Sequence, residues 1–420
     1  MKNFDQIIAD VEACLQESGK LLREYLVDSP GLCGWRQFLN KGASIGTFGT
    51  SCGLISYVNI FPDDNVRIER VSKCILDKQK EDGCWDSQTI LPDIGLTTAT
   101  CYNVLALKSA GISSEDPKIQ KAAAWLSNLV HPETGGIGNY QGDSSTYFIC
   151  AALTARALSS IDKHKYQQMI LNIVRWLKNN RNADGGFNDR VGTPSTLHHS
   201  SEVVIALSNL RDLSHEIGDI MNGANDFITK HWALGQNLYR DVAYVEDKDR
   251  RAMLPHTYYT DGLLLQANLT GNEFRVDNQT FLLVDQIIRN QKDGYWEHVS
   301  CVGLKPTWSI MECVLGLRKF LSVVTMNKRM IVLENQVQEL SGKFQTLESS
   351  VSSVSKVQAG ITSSFGKIFA IYKWRYLLIT LYVGSIYIVL RSILSSTQQL
   401  VIDLLGIVFT LIMAVLQYFS

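Results

Sequence analysis

Gln79-Lys80-Glu81-Asp82-Gly83-Cys84-Trp85 and its later echo Asn290-Gln291-Lys292-Asp293-Gly294-Tyr295-Trp296 decide how this chain folds. In each, a glycine permits a sharp reversal and the aromatic that follows is placed to pack against the helix just ended. Looser copies, Thr134-Gly135-Gly136-Ile137 and Ala183-Asp184-Gly185-Gly186-Phe187, lie between them, giving a period of about fifty residues. Amphipathic helices are expected over Phe4 to Leu26, Val66 to Gln79, Ile119 to Val130, Tyr166 to Asn179, Ile217 to Trp232 and Gln279 to Gln291. Each is followed by a helix rich in small and apolar residues, starting near Gly46, Gly95, Ser145, Ser195, Thr257 and Pro306. A hairpin that cannot bury its own face must stack on its neighbours, and six can close into a ring with the small-residue helices inside. The expected fold is therefore all-α, an α6/α6 toroid of six helical hairpins over residues 1–322.

Beyond the ring, residues 323–373 read as one long helix. Met326, Leu333, Leu340, Leu347, Val354, Ile361 and Ile368 occupy one heptad position, and Met330, Val337, Phe344, Val351, Gln358, Phe365 and Tyr372 the other. A 3.5-residue period held this long needs partner helices, and identical chains are the economical source; three to five strands fit the mixed seam, and a helix folded back on its own domain is the alternative. Residues 374–420 carry two apolar runs, Tyr376 to Leu394 with Arg391 inside and Leu400 to Phe419 with Asp403 inside, joined by Ser395 to Gln399. Each approaches the length that spans a bilayer, so the pair reads as a transmembrane hairpin. Lys367, Lys373 and Arg375 at its entrance place the ring in the cytoplasm at the inner membrane.

The net charge of -1 exerts no global pull toward nucleic acid, and the nine cysteines are scattered singly, as reduced thiols are. The start, MKNFDQIIADVEACL, is amphipathic and has no signal-peptide pattern.

The Gln79 to Trp85 and Asn290 to Trp296 turns resemble the glutamine-tryptophan repeats of squalene and terpenoid cyclases and of protein prenyltransferase β subunits. The resemblance spans about residues 1–322 and implies the α/α toroid, with Asp82, Asp184 and Asp293 as turn residues. The family's chemistry is harder to find. Where class II cyclases carry D-x-D-D-T-A, this chain has Ile94-Gly95-Leu96-Thr97-Thr98-Ala99, keeping the Thr-Ala without the acids; Asp93 stands alone beside it. Prenyltransferases hold zinc with Asp, Cys and His. Here Pro255-His256-Thr257-Tyr258-Tyr259 resembles the histidine segment, but His198 and His199 stand where Asp and Cys belong. Zinc at His198, His199 and His256 is one expectation; histidines bonded to their neighbours, with no metal, is the other. With the acids and the Asp-Cys pair missing, an enzymatic role is disfavoured.

Parallel inner helices bring their N-termini to one mouth and add their partial positive charges there. Arg36, Lys41, Arg190, Arg250, Arg251 and Lys305 precede those helices, with Tyr258, Tyr259 and Trp308 close by. With His198, His199 and His256 they form the expected binding site for a phosphate-bearing ligand, a nucleotide or oligonucleotide; a mixed solvated rim is the alternative. If the seam continues into the first span, Arg375, Ile379, Tyr382, Ile386, Val389 and Ile393 line a pore, or merely fill a bundle, and an antiparallel hairpin brings Arg391 and Asp403 to one depth. Ring, stalk and hairpin together are similar to bacterial anti-phage membrane effectors, which suggests a homo-oligomeric, ligand-gated channel. The alternative is a membrane-tethered isoprenoid enzyme.

Overall fold

The computed structural model describes residues 4–326, except 30, 43, 87–93, 236–239, 245–250, 256–257, 272–275 and 298–302, together with 336, 338, 340, 341, 343 and 345. Twelve α-helices are present among them. The outer set is α1 (Phe4–Tyr25), α3 (Asn65–Asp77), α5 (Pro117–Leu129), α7 (Gln167–Asn180), α9 (His215–Gly235) and α11 (Asn278–Asn290). The inner set is α2 (Thr47–Ile60), α4 (Thr97–Ser109), α6 (Phe148–Asp162), α8 (Leu197–Leu207), α10 (Tyr258–Gly271) and α12 (307–326). Outer helices bury one stripe, as Ile68, Val71 and Ile75 do on α3. Inner helices are buried on nearly every side, which is why they carry small residues and show no polar face.

Successive inner helices touch in order from α2 through α10. A Cβ on Gly262 of α10 would lie 2.6 Å from the backbone of Glu312 and Cys313, so α12 packs against α10 at bare backbone. Thr307 N then donates to Gln37 O at 3.0 Å beside the start of α2, and the six-hairpin ring is closed.

The turns do the same on the outside. Gly83, Gly135, Gly185 and Gly294 all have φ between 81° and 99°. A Cβ on them would stand 2.5, 2.3, 2.6 and 2.5 Å from the carbonyl oxygens of Lys121, Asn172, Gly223 and Glu17, each on the next outer helix. Glycine is thus required both for the turn and for docking it on the next repeat. The last turn docks on the first helix: Gln291 Nε2 donates to Cys14 O at 2.9 Å, and Ser18 Oγ donates to Gly294 O at 2.9 Å. Trp35, Trp85 and Trp296 are fully buried, and their indole N–H groups donate to Leu22, Ile75 and Ile287 carbonyls at 2.7–2.8 Å. Removing ~200 Å² of such a ring from water stabilises by about 5 kcal/mol at most, at roughly 25 cal/mol per Å². Asp82 and Asp184 accept from Cys84 N and Gly186 N within their turns, as the resemblance implied.

Two departures from an all-helical reading are small antiparallel pairs, β1 (Val27–Ser29) with β2 (Leu32–Gly34), and β3 (Arg240–Tyr244) with β4 (Arg251–Pro255). Arg251, expected in a loop, opens β4. Strand propensity in short connecting segments carries too few residues to stand out by periodicity.

The chain divides into two units, Met1–Ile331 and Val332–Ser420. Val323 and Val324 of α12 are buried in the ring, so its packing continues past 322. Of the expected seam, Met326 and Leu340 are described, both helical and exposed. Among the described residues no helix is long and apolar enough to cross a membrane. Residues 374–420 lie outside them, and with them Arg375, Ile379, Tyr382, Ile386, Val389, Ile393, Arg391 and Asp403.

Candidate functional site

The N-terminal end of the inner ring carries an aromatic wall. Trp308 of α12 packs edge-on against Phe38 at 5.1 Å between ring centres and lies 6.4 Å from Phe48 of α2. Phe48 in turn meets Tyr102 of α4 edge-on at 5.4 Å. Next to this, Thr196 caps α8: its Oγ1 accepts from His199 N and lies 2.8 Å from His199 Nδ1. The His198 and His199 rings are 4.7 Å apart, and burial holds the His199 imidazole well below its usual range, hence neutral.

Beneath the histidines lie two acids that the sequence reading passed over. Glu202, one turn along α8, is 9% exposed, and its Oε2 stands 3.4 Å from His198 Nε2, an ion pair only when that imidazole is protonated. Glu312 of α12 is 6% exposed and accepts from Gln266 Nε2 of α10 at 2.9 Å; the same nitrogen donates to the Glu312 carbonyl at 3.0 Å. Burial first, and the Glu202 charge second, push the Glu312 carboxyl up to about 7, while the Gln266 bond and Arg156 of α6 pull the other way. Tyr102 is raised well above the phenol range by burial and then by both acids. Four inner helices therefore bring titratable or charged groups to one interior. Asn103 Oδ1 of α4, Ser201 Oγ and Glu202 Oε2 of α8 and Ser309 Oγ of α12 are buried without a hydrogen bond, which is uncommon for buried polar atoms. The signal was available: a lone acid inside an otherwise small and apolar inner helix, Glu202 four residues after His198, is costly unless used.

One donor atom each from His198, His199 and Glu202 lies within 4.8 Å of the others. The set fits a divalent cation chemically: one imidazole is neutral and oriented through Nδ1 by a hydroxyl, and a buried carboxylate oxygen lacks a hydrogen bond. The third donor is Glu202, while His256 lies outside the described residues. The described cysteines are free, and burial lifts thiols such as Cys101 to about 12, which leaves them inert.

Of the cations expected at the mouth, Arg190, Lys41 and Lys305 rest against aromatic rings. Arg190 is exposed, lies over Tyr147 at 5.1 Å and sits 3.9 Å from Asp189. Lys41 is exposed over Phe38, and Lys305 lies 5.3 Å from both Tyr25 and Tyr295, toward the outer wall. Arg36 is half-buried. Arg250 lies outside the described residues; Tyr258 and Tyr259 begin α10. Asp189, beside Arg190, shows that residues of both signs share this rim.

The fold has known counterparts. A variant of the type II terpene cyclase MstE from Scytonema, in complex with geranylgeranyl dihydroxybenzoate, is similar over 76% of this chain and 100% of its own, with a TM-score of 0.57 and 14% identity. The chain shares the α/α toroid of type II terpene cyclases. D-mannose isomerase matches over 74% of this chain and 97% of its own, at a TM-score of 0.56 and 12% identity. A family 76 glycoside hydrolase from a bovine Bacteroides thetaiotaomicron strain covers 76% and 78%, at 0.53 and 11%. At such identities the likeness is one of fold, and these three proteins are named for different activities. No protein-family model matches the chain, nor does any curated protein.

Proposed function

We propose that the ring is the catalytic head of an isoprenoid-type enzyme that admits an apolar polyene chain past Phe48, Tyr102 and Trp308 and moves a proton with Glu312. The observation carrying this is the buried Glu312 and Glu202 pair, walled by aromatics, in a toroid whose neighbours include a cyclase solved with a geranylgeranyl compound. A carboxyl poised near neutrality is half protonated at working pH, which suits reversible proton transfer. It is too weak an acid for an isolated alkene. The substrate therefore offers an oxygen at its reacting end, an epoxide or a carbonyl: the Glu312 proton goes to that oxygen, and the carbon it activates is attacked by a neighbouring π bond. The Glu202 carboxyl and the aromatic faces stabilise the positive charge that results, and a carbon beside the cation then gives up a proton to leave an alkene.

In this reading residues 374–420 hold the enzyme beside a lipid-soluble substrate at the inner membrane, and the seam from Met326 to Tyr372 joins three to five copies. Zinc is carried forward as a proposal on His198, His199 and Glu202, tested by elemental analysis of purified protein. The test of the main reading is incubation of the full-length chain with geranylgeranyl epoxides and carbonyl compounds, read by mass spectrometry and NMR. Cyclic product bearing a new hydroxyl, lost in Glu312→Gln, supports it; no product across the panel from wild-type protein sinks it.

A second reading makes the ring the sensor of a pore-forming anti-phage effector. The missing D-x-D-D-T-A acids favour it. Bilayer recording of purified protein is its test, and a conductance changed by Ile386→Asn is its expected sign.

A further inference from the structure

The opposite end of the ring has its own chemistry. Between the C-terminal halves of α4, α6 and α8 lies a cleft of about 460 Å³, lined among others by Lys108, Arg156, Ser159, Ser160, Lys163 and Asn209. Two of its cations are occupied. Lys108 Nζ donates to Ile112 O and Ser114 Oγ just past the end of α4, neutralising that helix terminus, and Lys163 pairs with Asp212 at 2.6 Å. Arg156 differs: half-buried, its guanidinium makes no hydrogen bond or ion pair among the described residues.

Two more cations stand within electrostatic reach and have no acid partner among the described residues. Lys319 of α12 donates to Thr270 Oγ1, while Arg211 reaches Thr270 O at 3.5 Å and Met221 Sδ at 3.4 Å. Burial, then Arg156 and Arg211, lower the Lys319 ammonium to about 8, as a group gathered among like charges should be. Helix C-termini alone do not explain this, because a cation serving a terminus bonds its carbonyls, as Lys108 does, and Arg156 bonds none. Three positive groups with no carboxylate bonded to them among the described residues, beside a cleft lined by the Asn209 amide and by Ser159 and Ser160, whose hydroxyls donate to the Arg156 and Ala157 carbonyls, are what a multiply charged oxyanion neutralises.

We propose that this cleft binds a phosphate-bearing anion, with the Arg156 guanidinium as its principal contact and Lys319 and Arg211 supplying further charge. The site lies at the end of the inner helices away from His198 and His199, where no phosphate was expected from sequence, and it does not depend on Glu312 acting as an acid. Free phosphates and lipid headgroups share this chemistry.

The test uses detergent-solubilised full-length protein titrated with inorganic pyrophosphate, and separately with dihexanoyl phosphatidate below its micelle concentration, followed by calorimetry and thermal shift. Saturable binding of at least one probe is expected, weakened about tenfold or more in Arg156→Gln and less in Arg156→Lys, which keeps charge but not the fork. Preference for pyrophosphate points to a soluble phosphate, and preference for phosphatidate to a lipid headgroup; either supports the site. Asn209→Asp, which places a negative charge at the cleft without touching Arg156, weakens binding in parallel and covers the case in which the arginine variants fail to fold. Absence of binding by both probes overturns the proposal, as does binding lost in Arg190→Gln at the other mouth but kept in Arg156→Gln and Asn209→Asp.

Discussion

The two ends of the inner ring bury charge of opposite sign. Near the N-terminal end a carboxyl is pushed up to about 7, and near the C-terminal end an ammonium is pulled down to about 8. One cause acts at both: desolvation penalises whichever form is charged. The inner helices are parallel, so their positive dipole ends face the acids and their negative ends face the lysines and arginines, and each end suits its tenants. Arg156 sits between, felt by Glu312 on one side and Lys319 on the other. The difference teaches that desolvation leaves one polar site near each end of the toroid, and the two proposals above assign proton transfer to the first and anion binding to the second.

The sharpest way to break the first half of that comparison is Glu312→Gln. If the acid end is catalytic, turnover falls by about 10²–10⁴, the range for losing a general acid, while the amide keeps the shape and can still meet Gln266. Unchanged turnover in a folded Gln variant removes Glu312 from the chemistry. The same variant tests the electrostatics without any substrate. The Glu312 carboxyl rises from 4.5 to about 7 on folding, so below pH 4.5 both states hold the proton and there is no penalty. As pH climbs from there through 7 the unfolded chain releases its proton first, and stability worth about 3 kcal/mol is lost. Glu312→Gln should therefore be the more stable protein at pH 8 and level with wild type at pH 4. Lys319 has the opposite sign. Its ammonium drops from 10.5 to about 8, so stability present above pH 10.5 is lost as pH falls through 8, again by about 3 kcal/mol. Lys319→Met should gain stability at pH 7 and lose that gain at high pH. Parallel pH dependence in the two variants, read by denaturant unfolding, breaks the comparison.

How much of this was legible depends on what each feature needs from the chain. The ring was legible because its signals are local: Gly83 and Gly294 must turn, Trp85 and Trp296 must find a carbonyl, and six amphipathic helices each announce a buried stripe. The acid pair was half legible. Glu202 and Glu312 are conspicuous inside HHSSEVVIAL and PTWSIMECVLGL, but only closure of the ring brings α8 and α12 near enough for one to raise the other. The cleft was illegible, since Arg156, Lys319 and Arg211 come from three segments that look like ordinary helix ends. The contacts of the rim cations were illegible too: closeness in sequence to a helix start does not say where a long side chain lies, and Lys305 rests against Tyr25 and Tyr295.

A variant of the shared wall asks whether the two ends are coupled through packing. Gly262→Ala sets a methyl against the Glu312 and Cys313 backbone, where 2.6 Å is available, so α10 and α12 must separate. A cost of about 2–3 kcal/mol is expected, as for overpacking in a core. Since Gln266 lies one turn along α10 from this contact, separation should loosen its bond to Glu312 most, and reach the cleft between α4, α6 and α8 only through the Lys319 bond to Thr270, which also joins α12 to α10. Equal damage to both sites would mean that the ends are not separable.

The smallest effect is expected at the start of α8. Thr196→Val removes the hydroxyl that caps the helix and holds His199 Nδ1, at a cost of about 1 kcal/mol in thermal or denaturant unfolding. If His198, His199 and Glu202 hold zinc, the freed imidazole also lowers metal retention by roughly 10–100-fold, the usual penalty for losing such a supporting bond. If they hold only a proton, elemental analysis finds no zinc in either protein. The His198 and Glu202 contact is then an ion pair only when that imidazole is protonated.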